Sequence, residues 1–262
     1  MSEFDDATCV AADGASTIRD GWDINGNANG GYLLAMAASH LRAVSGRPDP
    51  ISVTGHFLAP GTPGPVQVGA TVVKSGRRFS TVTGGLHRGG APIVQVTGMF
   101  GDLSQATDEF THLASGPPDL PPMEECMPRL PVQGQVQVPL QARLNVRLRP
   151  GDDSFTRGER KGVAEMAGWF AFADGRPVDT LALLLACDSF PPAVFHIDLP
   201  PGWVPTLEYT VHVRAIPAPG PVRCVFRSQF VQGGFFNEDC EVWDYKDRLV
   251  AQSRQLGLTP LA

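Results

Sequence analysis

What most restricts the fold of this chain is that its second half repeats the first. At an offset of 156 residues the final strands of the two halves align without a gap. His56, Ala59, Pro63, Gly64, Pro65 and Val66 stand opposite His212, Ala215, Pro219, Gly220, Pro221 and Val222. Beyond that Pro-Gly-Pro turn only Phe79, Val94 and Gly101 have identical partners, so the weight falls on element order and spacing. A length of 262 residues leaves room for two units of roughly 110–130 residues each.

The division falls at a stretch with six prolines between Pro117 and Pro131, an extended polar connector by composition. The expected organisation is a first repeat over 1–102, a linker over 103–134 and a second repeat over 135–262. In the first repeat, Asn- and Gly-rich "NGNANGG" leads into the helical run "YLLAMAASHL". Four strand-like stretches follow, from "ISVTGHFL" to "APIVQVTGMFG", separated by Gly and Pro turn signals. The second repeat opens on "VQVPLQARLNVRLRP", where Val136 to Leu148 alternate with mostly polar residues as in a long half-buried strand. "PVDTLALLLACDSF" reads as a helix opened by Pro177 and stopped before Pro191, and strands follow again. Each unit is thus an antiparallel sheet wrapped around a central helix. The expected fold is α+β, a double hotdog, with the two sheets joined edge to edge so that two edges are hidden.

Composition excludes several functions. The net charge of −6 offers no basic footprint for nucleic acid. The longest apolar run, "LALLLAC", is too short to span a bilayer. The amino-terminal segment lacks the positive and apolar regions of a signal peptide. Five cysteines (Cys9, Cys126, Cys187, Cys224 and Cys240) share no metal-ligand spacing and read as reduced thiols of a cytoplasmic protein.

Asp188 closes the apolar run "LALLLACD", and a carboxylate on an apolar helix is costly to bury without donors. Thr206 and Gln255, further along the same half, are candidate partners. At the same offset their counterparts, and that of Asp188, are Pro50, Met99 and Tyr32, so the polar trio belongs to one repeat only. One site per chain is expected. Asp188 has the chemistry of a general base, and a hydroxyl and an amide can both donate and accept around a water.

"NGGYLLA", "HFLAPG", "SGRRFST" and "PIVQVTGMF" in the first repeat, and "ACDSF", "PTLEYTVHVR" and "VAQSRQLG" in the second, resemble signatures of the acyl-CoA thioesterase II family. The resemblance spans nearly the whole chain outside the connector. It implies the double-hotdog fold and hydrolysis of fatty acyl-CoA to free acid and CoA without metal or cofactor. It also implies a catalytic trio of Asp188, Thr206 and Gln255. The family's Asp-His pair after the threonine is replaced here by Leu207, Glu208 and Tyr209.

Substrate contacts are expected from Gly30, Gly31 and Tyr32 at the start of the first helix, through backbone N–H groups aimed at a carbonyl oxygen or phosphate. Lys74, Arg77 and Arg78 form a basic group suited to CoA phosphates. His56 and His212 would serve a hydratase or dehydratase, but their symmetric placement favours a structural role under the helix. A silent acyl-CoA or fatty-acid binding protein is the alternative outside enzymes. Exposed sheet edges favour a homo-oligomer, a dimer or tetramer.

Overall fold

The structure is a computed structural model that describes residues 2–107, 109–129, 138–200 and 202–260. In chain order the first elements are α1 (Glu3–Ala7), β1 (Ala15–Ile18), β2 (Asp23–Ile24), β3 (Asn27–Ala28) and α2 (Gly30–Ser45). They lead into β4 (Asp49–Phe57), β5 (Gly64–Ser75), β6 (Ser80–Arg88) and β7 (Ala91–Gly101). After a stretch of turns come β8 (Met127–Pro128), β9 (Arg147–Leu148), β10 (Glu165–Phe170), α3 (Ala182–Ala186) and β11 (Thr206–Val213). The last four are β12 (Val222–Arg227), β13 (Val231–Gln232), β14 (Phe235–Trp243) and β15 (Leu249–Leu258).

Helix α2 carries Leu33, Leu34, Met36, Ala37 and Leu41, all buried. A helix apolar on nearly every side is stable only when enclosed, and the sheet encloses it. Asn29 caps its start by accepting from the Tyr32 N–H at 2.9 Å, and Gly46, at φ 67°, ends it in the left-handed conformation. Glycine in the sheet lets it approach the helix closely. A Cβ on Gly55 of β4, for example, would lie 2.8 Å from Leu34 Cδ1.

Among the described residues, thirteen strands form one antiparallel sheet in the order β1-β5-β6-β7-β4-β11-β15-β14-β12-β10-β9-β8, with β13 pairing β14, while β2 and β3 pair separately. The two repeats therefore join edge to edge through β4 and β11, the double hotdog expected. In that seam Thr54 pairs with Thr210, its own counterpart at the offset of 156, and their hydroxyls lie 2.9 Å apart. The pseudo-twofold axis passes through this pair. Among the described residues no helix is long and apolar enough to cross a membrane.

Four sequence expectations need correction. The stretch from Val136 is not a long strand. Residues 130–137 lie outside those described, Pro139–Ala142 is a single 3₁₀ turn, and among the described residues of the stretch only Arg147–Leu148 forms a strand, with Leu144 adding an isolated bridge to Phe172. Alternation still sets the facing, since Leu144, Val146 and Leu148 are buried, but proline supplies no N–H for a ladder at 139. Second, the helix expected from Pro177 is only α3, with Asp179 accepting from the Ala182 N–H at 2.8 Å. Nineteen residues separate α3 from β11 against three between α2 and β4, so the gapless offset does not extend back to the helices. Third, β15 is displaced by one more residue. Leu86 pairs with Val68 and Val242 with Cys224, which confirms 156 for β5, β6, β12 and β14. Yet Val82 pairs with Gly98 while Glu238 pairs with Gln255, so the counterpart of Gln255 is Gly98 and not Met99. Fourth, the connector is more than a spacer: β8 adds to the sheet edge, and the Trp169 indole donates to the Pro121 carbonyl at 2.9 Å.

Candidate active site

The amino-terminal end of α2 meets the carboxy-terminal end of α3, and a glycine makes the contact possible. A Cβ on Gly31 would come within 2.6 Å of the Leu184 carbonyl oxygen and 2.9 Å of Asp188 Cβ. At the end of so short a helix the Cys187 and Asp188 N–H groups go to the Leu183 and Leu185 carbonyls, and the buried Tyr209 hydroxyl donates to the Leu184 oxygen at 2.8 Å. Ser189 closes the turn by donating from Oγ to the Ala186 carbonyl at 3.0 Å, ahead of Pro191 and Pro192. The last turn of α3 is thereby fixed between helix and sheet, and Asp188 with it.

The Asp188 carboxylate is held on both oxygens. Oδ2 accepts from the Gly31 N–H at 2.7 Å and from Asn29 Nδ2 at 3.0 Å, and that amide also reaches the Asp188 carbonyl at 2.7 Å. Oδ1 accepts from Gln255 Nε2 at 3.0 Å, and Gln255 Oε1 accepts from the Thr206 hydroxyl at 2.8 Å. The three residues thus form one hydrogen-bonded chain running from the end of α3 across β15 to the start of β11. Three acceptor or donor positions stay open: a lone pair of Oδ1, the second proton of Gln255 Nε2 and the lone pairs of Thr206 Oγ1.

This chain lies in the wall of a cavity of about 830 Å³, whose apolar lining includes Leu33, Phe57, Phe190, Phe195 and Ile197. Such a volume suits a ligand the size of an acyl chain. Burial pushes the Asp188 carboxyl up to about 6, against the pull of the Gly31 N–H, Gln255, Asn29 and the Arg129 guanidinium. Arg129, also in the cavity wall, donates to the Ser189 carbonyl, and desolvation lowers it to about 10. A second acid, Glu238, accepts from the Ala193 N–H at 2.6 Å and is pushed up to about 8, chiefly by burial.

The expected substrate contacts fare unevenly. Gly30 lines the cavity, but the Gly31 N–H is already engaged by Asp188. Tyr32 does not line the cavity. Its ring is fully buried against Trp22, while its hydroxyl donates to the Ala7 carbonyl and accepts from the Arg19 N–H. Lys74, Arg77 and Arg78 belong to the β5–β6 hairpin, tied by Arg47 at the other end of α2, roughly 24 Å away by helical rise, and line no part of the cavity. His56 and His212 are exposed on the outer face of the sheet, neither under a helix nor in the cavity.

Three residues at the site are absent from the sequence-based set: Asn29 as donor to Asp188, Arg129 and Glu238. Glu238 has a legible signal, an acid on the apolar side of the alternating "FNEDCEV". Asn29 could be found only as a helix cap. Arg129 sits in the connector, where composition says nothing about packing.

Known proteins are similar to this chain in sequence and fold. Sequence profiles described as the acyl-CoA thioesterase N-terminal and C-terminal domains match residues 18–101 and 117–259. A structure from Thermobifida fusca, assigned as a thioesterase II, is 32% identical, with a TM-score of 0.89 over 100% of this chain and 98% of its own. A hotdog protein of unknown function from Alicyclobacillus acidocaldarius is 24% identical, with a TM-score of 0.87 over 100% of this chain and 99% of its own. An uncharacterized protein of Mycobacterium tuberculosis is 29% identical over 93% of this chain and 89% of its own length.

Proposed function

The chain belongs to the acyl-CoA thioesterase family, and from that membership we propose that it hydrolyses an acyl-CoA thioester to free acid and CoA by direct attack of water. The observation that carries this reading is the unbroken Thr206–Gln255–Asp188 chain at the wall of a cavity that also has an apolar lining. A water seated between them accepts from the second Gln255 Nε2 proton and donates to Asp188 Oδ1 and Thr206 Oγ1. Asp188 takes its proton as the oxygen attacks the thioester carbonyl. With Oδ2 already saturated by Gly31 and Asn29, Oδ1 is the oxygen left for that task. Gly30, on the first turn of α2, offers its N–H and the positive helix end to the carbonyl oxygen as charge builds there.

The acyl chain occupies the apolar part of the cavity. The same proposal places the enzyme in the cytoplasm, supported by its five free thiols, and as a dimer or tetramer, supported by exposed Phe230, Trp203 and Phe235.

The test is steady-state thiol release from acyl-CoAs of graded length. Asp188→Asn and Gln255→Ala should each lower kcat/KM by about 10²-fold or more. Turnover by either variant within a few-fold of the parent overturns the assignment of the site. Failure of the wild type on every chain length overturns the activity.

A further inference from the structure

Strand β14 carries a carboxylic acid that the trio does not use. Alternation along Phe236, Glu238, Cys240 and Val242 turns this face inward, and three of the four side chains are apolar or thiol. Glu238 is 5% exposed, and its opening is to the cavity, whose wall it shares with Asp188 and Gln255. Its register partner on β15 is Gln255, so the two side chains rise side by side from neighbouring strands. One oxygen, Oε2, is fixed by the Ala193 N–H at 2.6 Å. Among the described residues no donor reaches the other, Oε1, and it is not among the sealed polar atoms that lack a partner. The ionised groups acting on it are both carboxylates, Asp188 and the adjacent Asp239, which oppose its negative form as burial does.

We propose that Glu238 is the proton donor to the departing thiolate, working as the acid to the Asp188 base. The inference rests on the thioesterase reading above. As the water oxygen bonds to the carbonyl carbon, its proton passes to Asp188 and the carbonyl electron pair moves to oxygen. On collapse the C=O bond reforms and the C–S bond breaks. Sulfur takes that electron pair and the Glu238 proton, and leaves as the thiol. Asp188 is then protonated and Glu238 ionised, and exchange with solvent returns one proton to each starting place. Two carboxyls in one site, pushed apart by their surroundings, are the usual arrangement for a base and an acid that act together. Asp188 must be ionised and Glu238 protonated, so kcat/KM rises with pH through about 6 and falls through about 8.

The test compares one acyl group carried on CoA and on 5-thio-2-nitrobenzoate, an aryl thiol acidic enough to leave without a proton. Wild-type enzyme should lose activity above about pH 8 with the CoA ester but not with the aryl ester. Glu238→Gln keeps an acceptor for the Ala193 N–H but has no acidic proton. It should cost about 10²-fold on the CoA ester and about threefold or less on the aryl ester, and remove the alkaline decline. Losses in equal proportion on both esters, no loss on the CoA ester, or the same alkaline decline for both in the wild type overturn the proposal. A wild type that turns over the esters without regard to leaving group ends this inference alone. One that releases no thiol from either ends the hydrolase reading with it.

Discussion

At the scale of single residues, the site depends on how a buried carboxylate is kept usable. Desolvation raises the Asp188 carboxyl while three donors hold it down, and the balance leaves it near the middle of the physiological range. Asn29→Ala removes one of the two donors to Oδ2, which takes away a downward pull, so the acidic limb of the kcat/KM profile should move to higher pH. A pH titration of thiol release measures this, and an unmoved limb excludes Asn29 as a support of the base. The variant also loses a helix cap worth about 1 kcal/mol, which a thermal melt reports separately. The trio was legible in the sequence because a lone acid on a leucine run has few ways of being tolerated. The opposite charge logic at Glu238 was equally available in its strand pattern. What could not be read is that the Gly31 N–H serves the protein's own carboxylate and not a ligand, since that depends on two helix ends meeting.

At the scale of elements, the meeting of α2 and α3 does the positioning. Gly31→Ala would drive a methyl group against the Leu184 carbonyl and Asp188 Cβ, both of them firmly held. Overpacking of this kind costs typically 1–3 kcal/mol, and here the displaced group is the proposed base. The variant should melt several degrees lower and lose about 10-fold or more in kcat, while Gly46→Ala at the far end should lower stability alone. Equal kcat in both variants would exclude the close approach as the positioning device. Helix α2 was readable because it is long, capped at Asn29 and apolar throughout. The length of α3 was not, because five enclosed residues stay helical through packing against Tyr209 and the sheet, and propensity carries little of it. Pro139 shows the reverse failure, where correct alternation hid one residue unable to join a ladder.

For the whole molecule, the pseudo-twofold axis at Thr54 and Thr210 creates two equivalent places, and the hydrogen-bonded trio stands at only one of them. Where Thr206, Glu238 and Gln255 stand, the first repeat has Pro50, Val82 and Gly98. The aromatic rings differ as well. In the second repeat the Phe236 ring of β14 packs over Gly257 of β15, whereas in the first the ring belongs to Phe100 of β7, opposite Ser80, and covers Gly98. Calorimetric titration with a non-hydrolysable acyl-CoA thioether should therefore give one site per chain. Two sites would mean that the Phe100 side also admits ligand.

The covalent link between the repeats has a further consequence. In a symmetric pair of separate chains every substitution lands twice, so a change that fills one pocket fills its twin. Within a single polypeptide the two positions are inherited independently. Phe100 can cover Gly98 in its half as ballast for the fold while the opposite half keeps a chamber walled by Asp188, Glu238 and Gln255, and neither role constrains the other.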